Sequence, residues 1–400
     1  MMGGCDLKNL TLRYSATQFT YWAASSGAAS FATTYLLTKG ISSGTVGILL
    51  ASAGLLSCLT QPFLASIADN SKRFLLVKML LIMSTLCCIC FSVQLIPQFP
   101  LLLIGIFYMI GIWSSDAMHP LLNALSVAYQ QAGFSINYGA SRGIGSAATA
   151  VSSLVLGFVI AQFGTPWMIL LLLSFRLVCM IVIAGYPKIQ KGTAVSQDRK
   201  GSCSIPYFFS TYRWYCISLL GILFLGMYHA MTENYLITIM TALGGDSSHV
   251  GTALFISAMV GAPVIFCFSQ IRKRISDTRL LKIAAVSFLL KAVLFYFAKN
   301  ITTIYLLQLL QITSYAFLAP AQVYYANAKV RKSDMVKGQA FITAAYALGC
   351  SAGNFTGGQL LSFGVTEILI AGILMALIGT VIIFSTVNKS DEILSERECS

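Results

Sequence analysis

The chain has 400 residues, of which 57% are hydrophobic and only 10% charged, with a mean hydropathy of +0.78. A water-soluble domain carries about 25% charged residues, so this composition excludes an ordinary soluble fold and points to a polytopic membrane protein. The net charge of +13 does not signal nucleic acid, because the basic residues sit in short loops between apolar runs.

Twelve stretches reach the roughly 20 apolar residues a helix needs to cross a bilayer. They lie near 12–37, 45–68, 74–96, 101–127, 138–163, 166–186, 212–243, 249–271, 280–298, 301–326, 337–362 and 365–387. The first, from Leu12 to Leu36, is longer than the apolar core of a secretory signal and reads as a retained span. Six spans precede the polar segment 187–210 and six follow it. The expected organisation is therefore a bundle over 1–186, a cytoplasmic linker over 187–210, a second bundle over 211–388 and a cytoplasmic tail over 389–400. Lys72, Arg73 and Lys78, then Lys188, Lys191, Arg199 and Lys200, then Arg272, Lys273 and Arg274, then Arg331 and Lys332 all fall on one side; Lys39 and Lys299 fall on the other. That asymmetry predicts both termini in the cytoplasm, and the expected location is the cell (plasma) membrane.

The two halves look alike. Pro62 and Pro263 are 201 residues apart, Pro120 and Pro320 are 200 apart, and Gly139 and Gly338 are 199 apart. A period near 200 is too long for a solenoid and suits the parallel halves of a large transporter.

Taken in order, span one carries Gln18, Tyr21, Trp22 and Ser25 on one helical face, suited to a cavity or to helix–helix packing. Span four places Asp116, His119 and Asn123 on a shared face. Span five opens on Tyr138-Gly139 and Arg142, a fixed charge that must face protein or water. In span seven, His229 and Glu233 lie one turn apart and can hydrogen-bond; span eight holds no acid. Span ten shows Gln308, Gln311, Tyr315 and Gln322 in one stripe, and amides with a phenol can both donate to and accept from a hydroxylated solute. Arg176 in span six and Lys291 in span nine read as cations that snorkel to an interface or pair between helices. The eleven cysteines fall mostly inside spans and match no zinc spacing, so neither metal nor other cofactor is expected.

The loop Ala65-x-x-x-Asp69 followed by Lys72 and Arg73 resembles the major facilitator signature, with alanine where glycine is usual. The run Tyr138-Gly139-x-x-Arg142-x-x-Gly145-Ser146 is similar to the start of the fifth helix in lactose-permease-like proton symporters. The resemblance implies an all-α membrane fold of twelve helices in two pseudo-symmetric six-helix bundles, with a solute site between them near mid-membrane. It implies that Asp69, with Arg73, gates the conformational change, and that the small residues of spans five and eleven cross partners in the opposite half. Spans six and nine are peripheral in such proteins. Two departures stand out: Asn123 occupies the place of a sugar-binding acid, and the helix-eight acid is missing. Lactose itself is therefore not the expected solute.

The reading is proton symport of a sugar, glycoside or nucleoside by alternating access. Gln18, Trp22, Asn123, Arg142, Gln311 and Tyr315 are the candidate solute residues; Asp116, His229 and Glu233 are the candidate proton-coupling residues. The expected partners are a small solute, protons and the lipid bilayer, without nucleic acid, and the expected state is a monomer. Multidrug efflux by antiport is the alternative, although the Gly-Pro pair late in helix five of such pumps is absent from Ser152–Gly157. A facilitator without ion coupling and a non-transporting sensor also remain open. No nucleophile, metal or phosphate-cradling constellation points to an enzyme.

Overall fold

The computed structural model describes residues 7–70, 73–187, 205–331 and 334–389, and these are helical almost throughout, with no strand among them. The first half contains α1 (Leu7–Ser30), α2 (Ala32–Thr38), α3 (Ser43–Asn70), α4 (Arg73–Val93), α5 (Leu101–Gln131), α6 (Tyr138–Phe163) and α7 (Thr165–Ala184). A short α8 (Ile205–Thr211) leads to α9 (Arg213–Glu233), α10 (Leu236–Ala242), α11 (Ser247–Phe266), α12 (Phe268–Arg272) and α13 (Asp277–Tyr296). Then come α14 (Ile301–Leu307), a 3-10 turn over Gln308–Ile312, α15 (Tyr315–Lys329), α16 (Met335–Leu361) and α17 (Val365–Thr386). Most of the expected linker and all but the first residue of the expected tail lie outside the described residues.

Among the described residues, nine helical segments are long and apolar enough to cross a membrane. Three more are long but more polar: α1 with 24 residues, α13 with 20 and α16 with 27. Their polar residues include Gln18, Lys291 and Asn354, all buried. Together these make the twelve-helix, all-α arrangement that the hydropathy pattern predicts.

The duplication extends to backbone detail. Pro62, Pro120, Pro263 and Pro320 all lie inside helices, α3, α5, α11 and α15 respectively. Gly164 and Gly364 each open the last helix of their half with a positive φ, 86° and 145°, a conformation that a side chain disfavours. Helix breaks fall at matching places too. Span one breaks at Phe31 between α1 and α2, and span seven breaks at Asn234 and Tyr235 between α9 and α10. In each half the first span packs most extensively on the fifth, α1 on α6 and α9 on α16.

By contact the chain divides into Met1–Ala194 with Gly244–Met259, and Val195–Leu243 with Val260–Ser400. The core of the first unit is built on Tyr14, Met118, Leu121, Leu125, Cys179 and Ile183. The start of α11 joins this unit because Gly157 and Gly251 let two backbones approach: a Cβ on Gly157 would lie 2.8 Å from the Gly251 Cα. The core of the second unit is built on Tyr215, Ile222, Leu225, Phe288, Leu318 and Tyr325.

Two small residues of α16 make close contacts inside the second unit. Gly349 and Gly353 lie against the carbonyls of Leu223 and Met227 on α9, within their own unit. A Cβ there meets rigid backbone rather than a movable side chain. Gly353→Leu is expected to lower stability by at least the ~1–3 kcal/mol typical of overpacking, read as a drop in the melting temperature of detergent-purified protein. Gly143→Ala, where nothing lies within 4 Å of the new Cβ, does not lower the melting temperature, since alanine is the better helix former.

Candidate functional site

In the first unit, four of the predicted solute residues come together. The Trp22 indole N–H donates to Gln18 Oε1 at 2.9 Å, and Gln18 Nε2 donates to the Tyr14 hydroxyl at 2.8 Å. Tyr14 in turn donates to the Leu122 carbonyl at 3.2 Å. This chain fixes the indole plane, since Gln18 is only 1% exposed and cannot swing away. The Arg142 guanidinium carbon lies 4.2 Å from the centroid of the Trp22 ring, a cation–π contact, and its Nη1 donates to Ser146 Oγ at 3.0 Å. Gly145 makes room for the indole: a Cβ there would stand 2.5 Å from Trp22 Cδ1. His119 meets the Trp22 ring edge-on at 5.4 Å, and Asn123 accepts from the Tyr138 hydroxyl at 3.1 Å. Trp22 and Arg142 are half-buried. The result is an aromatic face beside a fixed cation whose remaining N–H groups can bind an oxygen.

Asp116 does not join that cluster through Arg142; no ion pair links them. Its Oδ2 accepts from Ser57 at 3.3 Å. Pro120 has no N–H, so the Asp116 carbonyl four residues earlier lacks its helical donor, and Gln61 Nε2 supplies one at 3.4 Å.

Arg176 corrects the sequence-based expectation. It is not a snorkelling cation at the periphery but 2% exposed, in the interior of its unit. Its Nη2 donates to Ser115 Oγ at 2.5 Å and to Ser25 Oγ at 3.0 Å, and it lies 5.4 Å from the Tyr21 ring. Among the described residues no carboxylate lies within ion-pair distance of it.

In the second unit, Lys291 is the centre: of the two readings the sequence left open, it pairs between helices, with Glu233 of α9, and does not snorkel to an interface. It is 1% exposed. Its ammonium donates to Glu233 Oε1 at 3.1 Å, to Gln308 Oε1 at 2.9 Å and to Gln311 Oε1 at 3.3 Å. Three N–H donors therefore meet three acceptors. The local backbone explains why. Gln308 and Gln311 lie on the 3-10 turn, where residues three apart eclipse, so both amides face one ammonium. Glu233 is the last residue of α9, at the break before α10. Broken helices of this kind are where transporters build their sites.

The predicted His229–Glu233 hydrogen bond is not formed. His229 instead stacks on Tyr315, with ring centroids 5.0 Å apart and planes 5° from parallel, while Glu233 goes to Lys291. Gln311 and Tyr315 are thus near one another, but the Gln311 oxygen is already held by the ammonium. The predicted gate residues Asp69 and Arg73 fall at the end of α3 and the start of α4, and their side chains lie outside the described residues. The signal that could have found Lys291 and Arg176 was present: a charge in mid-span is costly unless it points inward to partners.

The family described as MFS_1 like family matches residues 11–384. The chain belongs to that family. It is a transporter of the major facilitator type, an integral membrane protein built of many apolar helices. The nucleoside transporter NupG is similar in structure, with a TM-score of 0.78 and 16% identity over 94% of this chain and 98% of that one. A peptide transporter POT has a TM-score of 0.74 with 10% identity, covering 96% of this chain and 95% of the other. A bacterial homologue of the lysosomal transporter Spinster has a TM-score of 0.68 with 12% identity, covering 98% and 99%. At these identities the likeness is one of fold. No curated protein matches the sequence.

Proposed function

We propose that this major facilitator protein is a proton symporter for a small hydrophilic solute, a nucleoside first, with sugars and glycosides in the same class. It works by alternating access, as a monomer in the cell membrane with both termini cytoplasmic. The observation that carries this reading is the buried pair of Lys291 and Glu233, held at 3.1 Å. A proton arriving on Glu233 removes the charge that holds the ammonium, and frees Gln308, Gln311 and Lys291 to exchange partners. Glu233 is the proton carrier, with the neighbouring His229 in support and Asp116 as a second titratable group. Trp22 and Arg142, ordered by Gln18, offer a stacking face and a hydrogen-bonding cation; Asn123 and Tyr315 lie beside these two clusters. Stacking surfaces suit a nucleobase, and the nucleoside named for NupG belongs to this chemical class. Asp69 and Arg73 are assigned to the gate.

A panel of nucleosides, sugars and lipophilic cations tests the reading through thermal stabilisation of purified protein. A bound solute at a hundred times its dissociation constant adds about 2.7 kcal/mol of stability. Nucleosides or sugars are expected to protect, and Trp22→Ala is expected to weaken that protection by roughly tenfold in affinity, as loss of one stacked ring does. Protection by lipophilic cations alone would replace symport with efflux.

A further inference from the structure

A cavity of about 480 Å³ opens in the second unit between the start of α13, the C-terminal turn of α15 and Asn388 beyond α17. Ligand pockets run from roughly 300 to 1,000 Å³, so the space suits a small headgroup or metabolite. Among the described residues three cations line it: Arg279, Lys282 and Lys329. The one acid among its described lining residues, Asp277, is already matched by Arg272, whose Nε and Nη2 donate to the two carboxylate oxygens at 2.7 and 3.0 Å. Lys282 donates to the neutral amide oxygen of Asn388 at 2.8 Å, and no carboxylate among the described residues pairs with it. Lys329 is only 4% exposed and lies against the Tyr325 ring. The 20-residue α13, capped by Ser276, adds the positive end of its dipole.

The geometry points to a binding site for one phosphate-bearing group, held by Arg279 and Lys282 beside the buried Lys329. Phosphate is the chemistry that fits. The arginine fork can take two of its oxygens and each ammonium contributes a point charge, whereas a carboxylate offers fewer oxygens and a single charge. Two sources carry such a group: the headgroup of an anionic phospholipid and a soluble phosphate ester. None of the three cations belongs to the Trp22 or Lys291 clusters. Occupancy therefore bears on the transporter from a second place and does not depend on the symport reading.

The experiment uses full-length purified protein. Thermal stabilisation by glycerol 3-phosphate is measured in detergent. Retention of phosphatidylglycerol is measured by native mass spectrometry after nanodiscs of phosphatidylcholine with and without that lipid. Arg279→Gln with Lys282→Gln removes two cations from the cavity, and Arg213→Gln removes one from an exposed position elsewhere. Stabilisation by glycerol 3-phosphate, weakened at least roughly tenfold by the double substitution and unchanged by Arg213→Gln, assigns a soluble ester. Retained phosphatidylglycerol that the double substitution loses, without response to glycerol 3-phosphate, assigns the lipid. Binding of neither probe, or equal binding by wild type and the double variant, overturns the site. A double variant that does not purify is replaced by Lys282→Gln alone, read against the same outcomes.

Discussion

Glu233→Gln abolishes uphill solute accumulation in proteoliposomes while counterflow exchange stays measurable. Glutamine keeps the shape of the side chain and one carbonyl oxygen for Lys291 Nζ, now 3.1 Å from Glu233. It cannot release or take up a proton. Exchange requires only that the loaded carrier reorient, so it survives; concentration against a gradient requires the proton, so it does not. The effect is large because span eight contains no acid to substitute for Glu233. Accumulation by the variant at wild-type level would remove Glu233 from the coupling role, leaving Asp116 or no ion coupling at all.

Lys291→Met destabilises the protein by about 3–5 kcal/mol, because it strands a buried carboxylate without its cation. Methionine fills much of the lysine stem's volume, so lost packing contributes little. The double variant Lys291→Met with Glu233→Gln recovers most of the loss, since no unpaired charge remains. A double-mutant cycle on melting temperature measures the difference. Additive losses in the cycle would mean that the contact at 3.1 Å carries no energy, and the coupling argument would lose its physical basis.

Much of the architecture could be read from hydropathy, because most spans are apolar for about 20 residues and the basic loops alternate with them. The Trp22 cluster was legible for a similar reason. Gln18 and Trp22 lie four apart on one helix and are joined by a 2.9 Å hydrogen bond, as helical spacing demands. That Lys291 pairs between helices was among the readings, but its partners Glu233, Gln308 and Gln311 were not legible. The geometry of the cluster depends on a 3-10 turn at Gln308–Ile312 that no proline or glycine announces. Assigning span nine to the periphery then drew attention away from a cation whose long stem reaches inward to Glu233. His229 and Glu233 show the limit of spacing alone. One turn apart, they are within reach of each other, yet the Tyr315 ring and the Lys291 ammonium each offer a better partner. Arg176 likewise needed the structure, because the hydroxyls that bind it come from Ser25 and Ser115, far away in the chain.

The central claim is that solute and proton enter together. The direct measurement is external pH, followed with a membrane-impermeant dye, when the most protective nucleoside or sugar is added to proteoliposomes clamped at zero potential without a pH gradient. Alkalinisation outside that tracks entry of radiolabelled solute, and that is missing for Glu233→Gln, is the predicted result. Solute entry into wild-type vesicles with no change in external pH contradicts it.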